Sequence, residues 1–204
     1  MPLDEKDPFG IDKMVFFSPR QVVIRGNQHQ LVRLSLRRPA NLPEGEYRGH
    51  LTFTRLQLDQ RKPEAKEKLK GQQTAININL SFSIPVIVRN GTDDDLKVEL
   101  SSPKFETDTK NENRPIISMD LTRVSGKFST YGSVLVFWKK PGVEEEQQIA
   151  VLNNVSLYPE IKKRHLKISL KENKVDRGTI RIVYQGKYES QGTIWDEKIF
   201  PVSR

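Results

Sequence analysis

The sequence contains no cysteine. Disulfide bonds, zinc–thiolate sites and thiol nucleophiles are therefore excluded, although this absence does not decide the cellular compartment. Long apolar runs are also absent, since hydrophobic residues make up 35% of the 204 residues and the mean hydropathy is −0.61. No stretch approaches the roughly 20 apolar residues of a membrane-spanning helix, so we expect no stable membrane insertion.

The first ten residues lack the features of a secretion signal. They are acidic, they are interrupted by Pro2 and Pro8, and they have neither a basic start nor an apolar stretch. We therefore expect either a cytosolic protein or a mature or truncated form of a secreted one.

No arrangement of residues indicates catalysis or metal binding. The three histidines, His29, His50 and His165, are far apart and none has a partner at metal-ligand spacing. The adjacent aspartates at 93–95 lack the alternating ligands of a calcium loop, and no phosphate-binding loop, dinucleotide fingerprint or serine elbow occurs. We therefore predict that the protein is not an enzyme and has no catalytic residues, no cofactor and no metal site.

The charge of the chain is positive but dispersed. Lys and Arg number 34 against 26 Asp and Glu, which gives a formal net charge of +8 and a pI of about 9.6. The basic residues alternate with acidic ones, and the Lys/Arg-rich blocks that are typical of nucleic-acid binding are absent. We expect no nucleic-acid partner.

The most informative stretch is 75–84, where apolar residues occupy every second position and Asn or Ser fills those between. A period of two predicts a β-strand with one apolar and one polar face, and Pro85 after it favours a sheet edge. Such a strand either packs on the core of its own domain or is donated to a partner by β-augmentation. The apolar positions are Ile76, Ile78, Leu80, Phe82 and Ile84.

Short alternating or apolar segments predict β-strands along the rest of the chain, and no segment has the pattern of a long amphipathic helix. We therefore predict an all-β fold of two immunoglobulin-like β-sandwich domains. The turn signal at Asn90-Gly91 and the acidic triplet after it divide the chain into domains 1–90 and 91–204. The predicted strands cover residues 13–18, 21–24, 31–36, 46–58, 75–89, 96–100, 115–124, 134–138, 146–152, 165–170, 178–184 and 192–200.

Two kinds of connecting segment separate these strands. Residues 59–74 are charged and offer little apolar surface to bury, so we expect them to be the most mobile internal segment of the first domain. In the second half of the chain, Gly132 and Asn153-Asn154 are interpreted as turns between strands.

An ordered set of motifs in the first half resembles the PapD-like family of periplasmic chaperones of pilus assembly. The resemblance is good over residues 15–91 and weaker over 92–204, where residues 121–132 are similar to a hairpin in the second domain of that family. The motifs that carry it lie at residues 17–20 (FSPR), 30–34 (QLVRL), 37–51 (RRPANLPEGEYRGHL) and 84–91 (IPVIVRNG).

The resemblance implies a periplasmic chaperone of two immunoglobulin-like domains in an L shape, with a role in fimbrium biogenesis and cell wall organization. Such a chaperone holds a pilus or fimbrial subunit by donor-strand complementation and later passes it to an outer-membrane usher. The residues that the resemblance assigns to the subunit-binding donor strand are Ile76, Ile78, Leu80, Phe82 and Ile84.

The chain departs from this family in its first domain. The opening strands of the family, one of which carries an Arg for the terminal carboxylate of the subunit, have no counterpart here, and Ile84-Pro85-Val86 lacks the matching Lys. We therefore expect an incomplete first domain and assign no residue to carboxylate anchoring. The alternative function is a non-enzymatic β-sandwich adhesin or carbohydrate-binding module.

Overall fold

The computed structural model describes residues 7–56, 79–109, 114–172, 175 and 177–203. Within these ranges all regular structure is β-strand apart from one 3-10 turn at Tyr188–Ser190, so the prediction of an all-β fold is confirmed. None of the described residues forms a helix with the length and apolar character needed to cross a membrane. The strands are β1 (Val15–Ser18), β2 (Arg33–Leu36), β3 (Gly45–Thr54), β4 (Ser81–Asn90), β5 (Lys97–Asp108), β6 (Arg114–Ser125), β7 (Thr130–Lys139), β8 (Gln147–Leu157), β9 (Lys163–Ser169), β10 (Arg177–Gly186) and β11 (Ile194–Ser203).

The chain divides into two compact units. The first unit consists of Met1–Leu42 and Tyr47–Val88, and the second consists of Pro43–Glu46 and Arg89–Arg204. Each unit has its own hydrophobic core.

The second unit is a sandwich of two antiparallel sheets. One sheet has the strand order β11-β10-β7-β8 and the other has the order β5-β6-β9. Alternate residues of both sheets point inward and are buried, as the period of a β-strand requires. The central buried side chains are Leu100, Ile117, Met119, Leu121, Val134, Val136, Ile180, Ile182 and Tyr184.

Gly132 and Asn154 lie inside strands β7 and β8, so the interpretation of these positions as turns is wrong. The register between the two strands shifts after Gly132, and Asn154 has a positive φ of 58°. A Cβ atom on Gly132 would lie 2.1 Å from the carbonyl oxygen of Gln185 in β10. The glycine therefore permits the close approach of β7 and β10 next to a β-bulge. Bulges and close backbone approach are the usual reasons for a glycine inside a strand.

The strand predicted at residues 21–24 is absent, because these residues are irregular in the structure. Val22, Val23 and Ile24 have high strand propensity, but they are 40%, 84% and 55% exposed. Strand propensity acts through packing against neighbouring strands, and these exposed side chains make little such packing. The charged connection 59–74 lies outside the described residues.

The described part of the first unit contains two small antiparallel sheets, one of β1 and β2 and one of β3 and β4. Among these described residues, four buried side chains form the core and three half-buried ones pack against them. The core residues are Ile11, Met14, Tyr47 and Val88, and the half-buried side chains are Val15, Leu42 and Val86.

Candidate functional site

Strand β4 is paired along one side only in the described part of the chain, because its sheet consists of β3 and β4. The hydroxyl oxygens of Thr52 and Ser83 are 3.3 Å apart, and those of Thr54 and Ser81 are 3.1 Å apart. These contacts join the polar side chains of β3 and β4 on one face of the sheet. The backbone groups along the other edge are in the position where an additional strand can pair.

The opposite face of the same two strands is apolar. The two hydroxyl pairs place Phe82 opposite Phe53 and Ile84 opposite Leu51. Directly opposed residues share a face of an antiparallel sheet, so these four side chains point to one side together with Leu80. Leu80, Phe82 and Ile84 are 58%, 64% and 53% exposed, and Phe53 is 40% exposed.

Three of the five residues predicted to form the donor strand thus share one exposed face. Leu80 directly precedes β4, whereas Phe82 and Ile84 lie within it. The other two, Ile76 and Ile78, lie outside the described residues. The donor role of all five stays a prediction.

The apolar face becomes buried toward the end of β4. Val86 is half-buried against the core of the first unit, and Val88 belongs to that core. The interpretation as a strand that packs on its own core therefore holds for the end of β4, and donation to a partner stays a prediction. The end of this strand packs on the core of its own unit, while its beginning presents the same face to solvent.

A second exposed apolar face lies on β1 and β2. Phe17 is paired with Leu34 and Val15 with Leu36, so these four side chains point to one side. Leu34 and Leu36 are 52% and 53% exposed and Phe17 is 38% exposed, while Val15 packs against the core. Residues from the apolar faces of both sheets thus pack into the same small core. This surface was not predicted from the sequence, although the alternation of Leu34 and Leu36 is a signal for it.

A cluster of titratable side chains lies on the solvent-accessible side of β6 and β9. His165 Nδ1 is 2.9 Å from Asp120 Oδ1, and Lys163 Nζ is 2.7 Å from Asp120 Oδ2. The hydrogen bond from Lys163, followed by that of His165, lowers the pKa of Asp120. We interpret this cluster as a cross-strand surface ion pair that stabilises the sheet.

The other two histidines, His29 and His50, are exposed. Across the ranges that the structure describes, no group of three or more His, Asp or Glu side chains is arranged to hold a metal ion. The candidate functional site is therefore the exposed apolar surface that β1, β2, β3 and β4 form in the first unit.

Comparison with known proteins identifies no relative. No protein-family model, no curated protein and no solved structure matches this chain. The geometry of β4 and the motifs of the sequence are therefore the observations that bear on function.

Proposed function

We propose that this chain is a periplasmic chaperone of pilus or fimbrial subunits that donates the exposed part of β4 to a partner sandwich. One observation carries the proposal: Leu80, Phe82 and Ile84 alternate on an exposed face next to an edge that is open in the described part of the chain. The PapD-like resemblance supplies the class of partner and the outer-membrane usher that receives the subunit.

The physical chemistry of an incomplete subunit fits this surface. A sandwich that lacks its last strand exposes unpaired backbone groups and apolar pockets, and both favour aggregation. The open edge of β4 can pair with that backbone, while its alternate side chains fill the pockets. Each buried Leu, Phe or Ile side chain contributes about 1.5–3 kcal/mol before the cost of association is subtracted.

The polar face of β4 allows this donation without loss of its own sheet. Ser81 and Ser83 contact Thr54 and Thr52 of β3 through hydroxyl groups. These contacts lie on the face away from Leu80 and Phe82. The subunit can therefore cover the apolar face and the open edge while β3 and β4 stay paired.

The proposal is tested with the double variant Leu80→Asn/Phe82→Asn. We expect its affinity for a pilus subunit without its last strand to fall at least about a hundredfold, because two apolar side chains no longer fill pockets. The measurements are co-purification from cells that express both proteins and titration of the purified subunit.

The matched control is Ile194→Asn/Ile199→Asn in β11 of the second unit, where the two isoleucines are 56% and 63% exposed. This variant makes the same chemical change on another exposed strand and should capture the subunit like the wild type. If β4 serves only the core of its own unit, Leu80→Asn/Phe82→Asn instead loses the cooperative melting of the first unit. Unchanged capture by a folded Leu80→Asn/Phe82→Asn protein contradicts the proposal.

A further inference from the structure

The positive charge of the chain is concentrated in the first unit. Its residues, 1–42 and 47–88, contain fourteen Lys and Arg against seven Asp and Glu, a formal net charge of +7. The second unit contains twenty basic and nineteen acidic residues, a formal net charge of +1. Nearly all of the net charge therefore belongs to the unit that carries the exposed apolar faces.

The imbalance is stronger in the described part of the first unit. Residues 7–42, 47–56 and 79–88 contain eight basic side chains and only two acidic ones, Asp7 and Asp12. A surface with such an excess of one sign carries a positive potential that attracts acidic partners. The exposed arginines of this part are Arg20, Arg25, Arg33, Arg37, Arg38 and Arg55.

Two of these arginines lie at the apolar faces themselves. The Arg55 amide donates to the Leu80 carbonyl at 3.3 Å, which places Arg55 opposite Leu80 and on the same side as Phe53. The Arg20 guanidinium lies 5.8 Å from the centre of the Phe17 ring, within cation–π distance. A partner that covers Leu80 must also take the Arg55 guanidinium group out of water, and covering Phe17 has the same consequence for Arg20.

Covering a guanidinium group is costly unless the partner provides an opposite charge and hydrogen bonds. A carboxylate is the best match, because it can accept two parallel hydrogen bonds from Arg. We propose that the partner segment that adds to β4 has an alternating apolar row and carries, in this row at the end next to Leu80, an Asp or Glu side chain that meets Arg55. This inference rests on the proposed function and names the chemistry of its partner.

The test uses the full chain and three synthetic peptides of about 12 residues that share the same alternating Val and Ile positions. The apolar row of each peptide ends in Glu in the first peptide, in Gln in the second and in Lys in the third, and the positions between the apolar residues are Ser in all three. Binding is measured by fluorescence anisotropy in about 20 mM and about 300 mM NaCl. We expect the Glu peptide to bind at least about tenfold more tightly than the Gln peptide in low salt, and this difference to shrink in high salt.

Variants connect the effect to Arg55. Arg55→Gln should weaken binding of the Glu peptide about tenfold and leave binding of the Gln peptide unchanged. Arg55→Lys should keep the salt dependence with part of the affinity, because Lys retains the charge without the bidentate geometry. The control Lys162→Gln/Lys167→Gln removes two exposed charges from the second unit and should bind both peptides like the wild type.

The outcomes separate this inference from the proposed function. Equal binding of the Glu and Gln peptides overturns the inference, and strand donation still stands if Leu80→Asn/Phe82→Asn weakens both. Wild-type binding of the Glu peptide by Arg55→Gln also overturns the inference. Binding of none of the three peptides overturns the inference, while capture of the subunit by the wild type but not by Leu80→Asn/Phe82→Asn decides the proposed function separately.

Single-stranded DNA serves as a fourth probe of the positive surface. If the DNA binds more tightly than the Glu peptide and its affinity is unaffected by Leu80→Asn/Phe82→Asn, the positive surface binds nucleic acid and the inference is wrong. Weaker binding of the DNA than of the Glu peptide supports an acidic protein segment.

Discussion

At the scale of single residues, Tyr184 shows how burial changes the chemistry of a side chain. Its ring is fully buried in the core of the second unit. Its hydroxyl donates to the Val155 carbonyl at 3.0 Å and lies 3.1 Å from Thr130 Oγ1. Burial raises the pKa of Tyr184 from 10.0 to about 12, because the folded environment disfavours the phenolate.

This shift makes the stability of the second unit depend on alkaline pH. The unfolded chain loses the Tyr184 proton near pH 10, whereas the folded chain keeps it until about pH 12. The stabilising contribution is therefore complete below the unfolded pKa and is lost as the pH rises through the folded pKa. As the pH rises from the unfolded to the folded pKa, the free energy of unfolding should fall about 2 kcal/mol less for Tyr184→Phe than for the wild type.

Urea denaturation at a series of pH values measures this difference. The matched control is Tyr188→Phe, because Tyr188 is 75% exposed and its replacement removes a phenol outside the core. Parallel pH profiles for the wild type and Tyr184→Phe would contradict the expectation.

At the scale of secondary-structure elements, β7 is shaped by the space available to Gly132. The carbonyl oxygen of Gln185 occupies the place of a Cβ atom there, and backbone cannot move aside as a flexible side chain can. Gly132 therefore allows the close contact between β7 and β10, next to the register shift in the pairing of β7 with β8.

We expect Gly132→Ala to destabilise the second unit by more than about 2 kcal/mol, because the added methyl group forces the two strands apart. Gly142→Ala is the control: its φ is +75°, and its Cβ atom would meet nothing within 4 Å. That change adds only local backbone strain and should cost about 1 kcal/mol. Scanning calorimetry compares the two variants, and equal melting temperatures for Gly132→Ala and the wild type would refute the close-contact argument.

At the scale of the whole molecule, the two units differ greatly in the size of their cores. Among the described residues, the core of the second unit contains twenty buried apolar side chains, whereas that of the first contains four. Since resistance to local opening follows buried apolar contact, the first unit should open more readily. A partner that covers its exposed faces would add the burial that it lacks.

Hydrogen exchange tests this difference directly. We expect amides of β7 and β10 to exchange slowest and amides of β1 and β2 to exchange at least about a hundredfold faster. Addition of a captured subunit should slow exchange in β4 and leave β7 unchanged. Protection of β1 and β2 equal to that of β7 would show that the first unit is as stable as the second.

The faces of the strands could be predicted from the sequence, because a period of two is a local property of the chain. Leu80, Phe82 and Ile84 lie on one side, and Ser81 and Ser83 lie on the other. The absence of long amphipathic helix patterns likewise predicted an all-β fold. These inferences need only the order of neighbouring residues.

Only the tertiary structure decided which of these faces is covered, because burial depends on residues that are distant in sequence. The same apolar row is buried at Val88 and exposed at Phe82. Gly132 has the pattern of a turn until Gln185, more than fifty residues later, is seen to occupy its side-chain space. The placement of Arg55 opposite Leu80 could not be predicted from the distribution of charge along the sequence either, since it arises from the pairing of segments that are 25 residues apart.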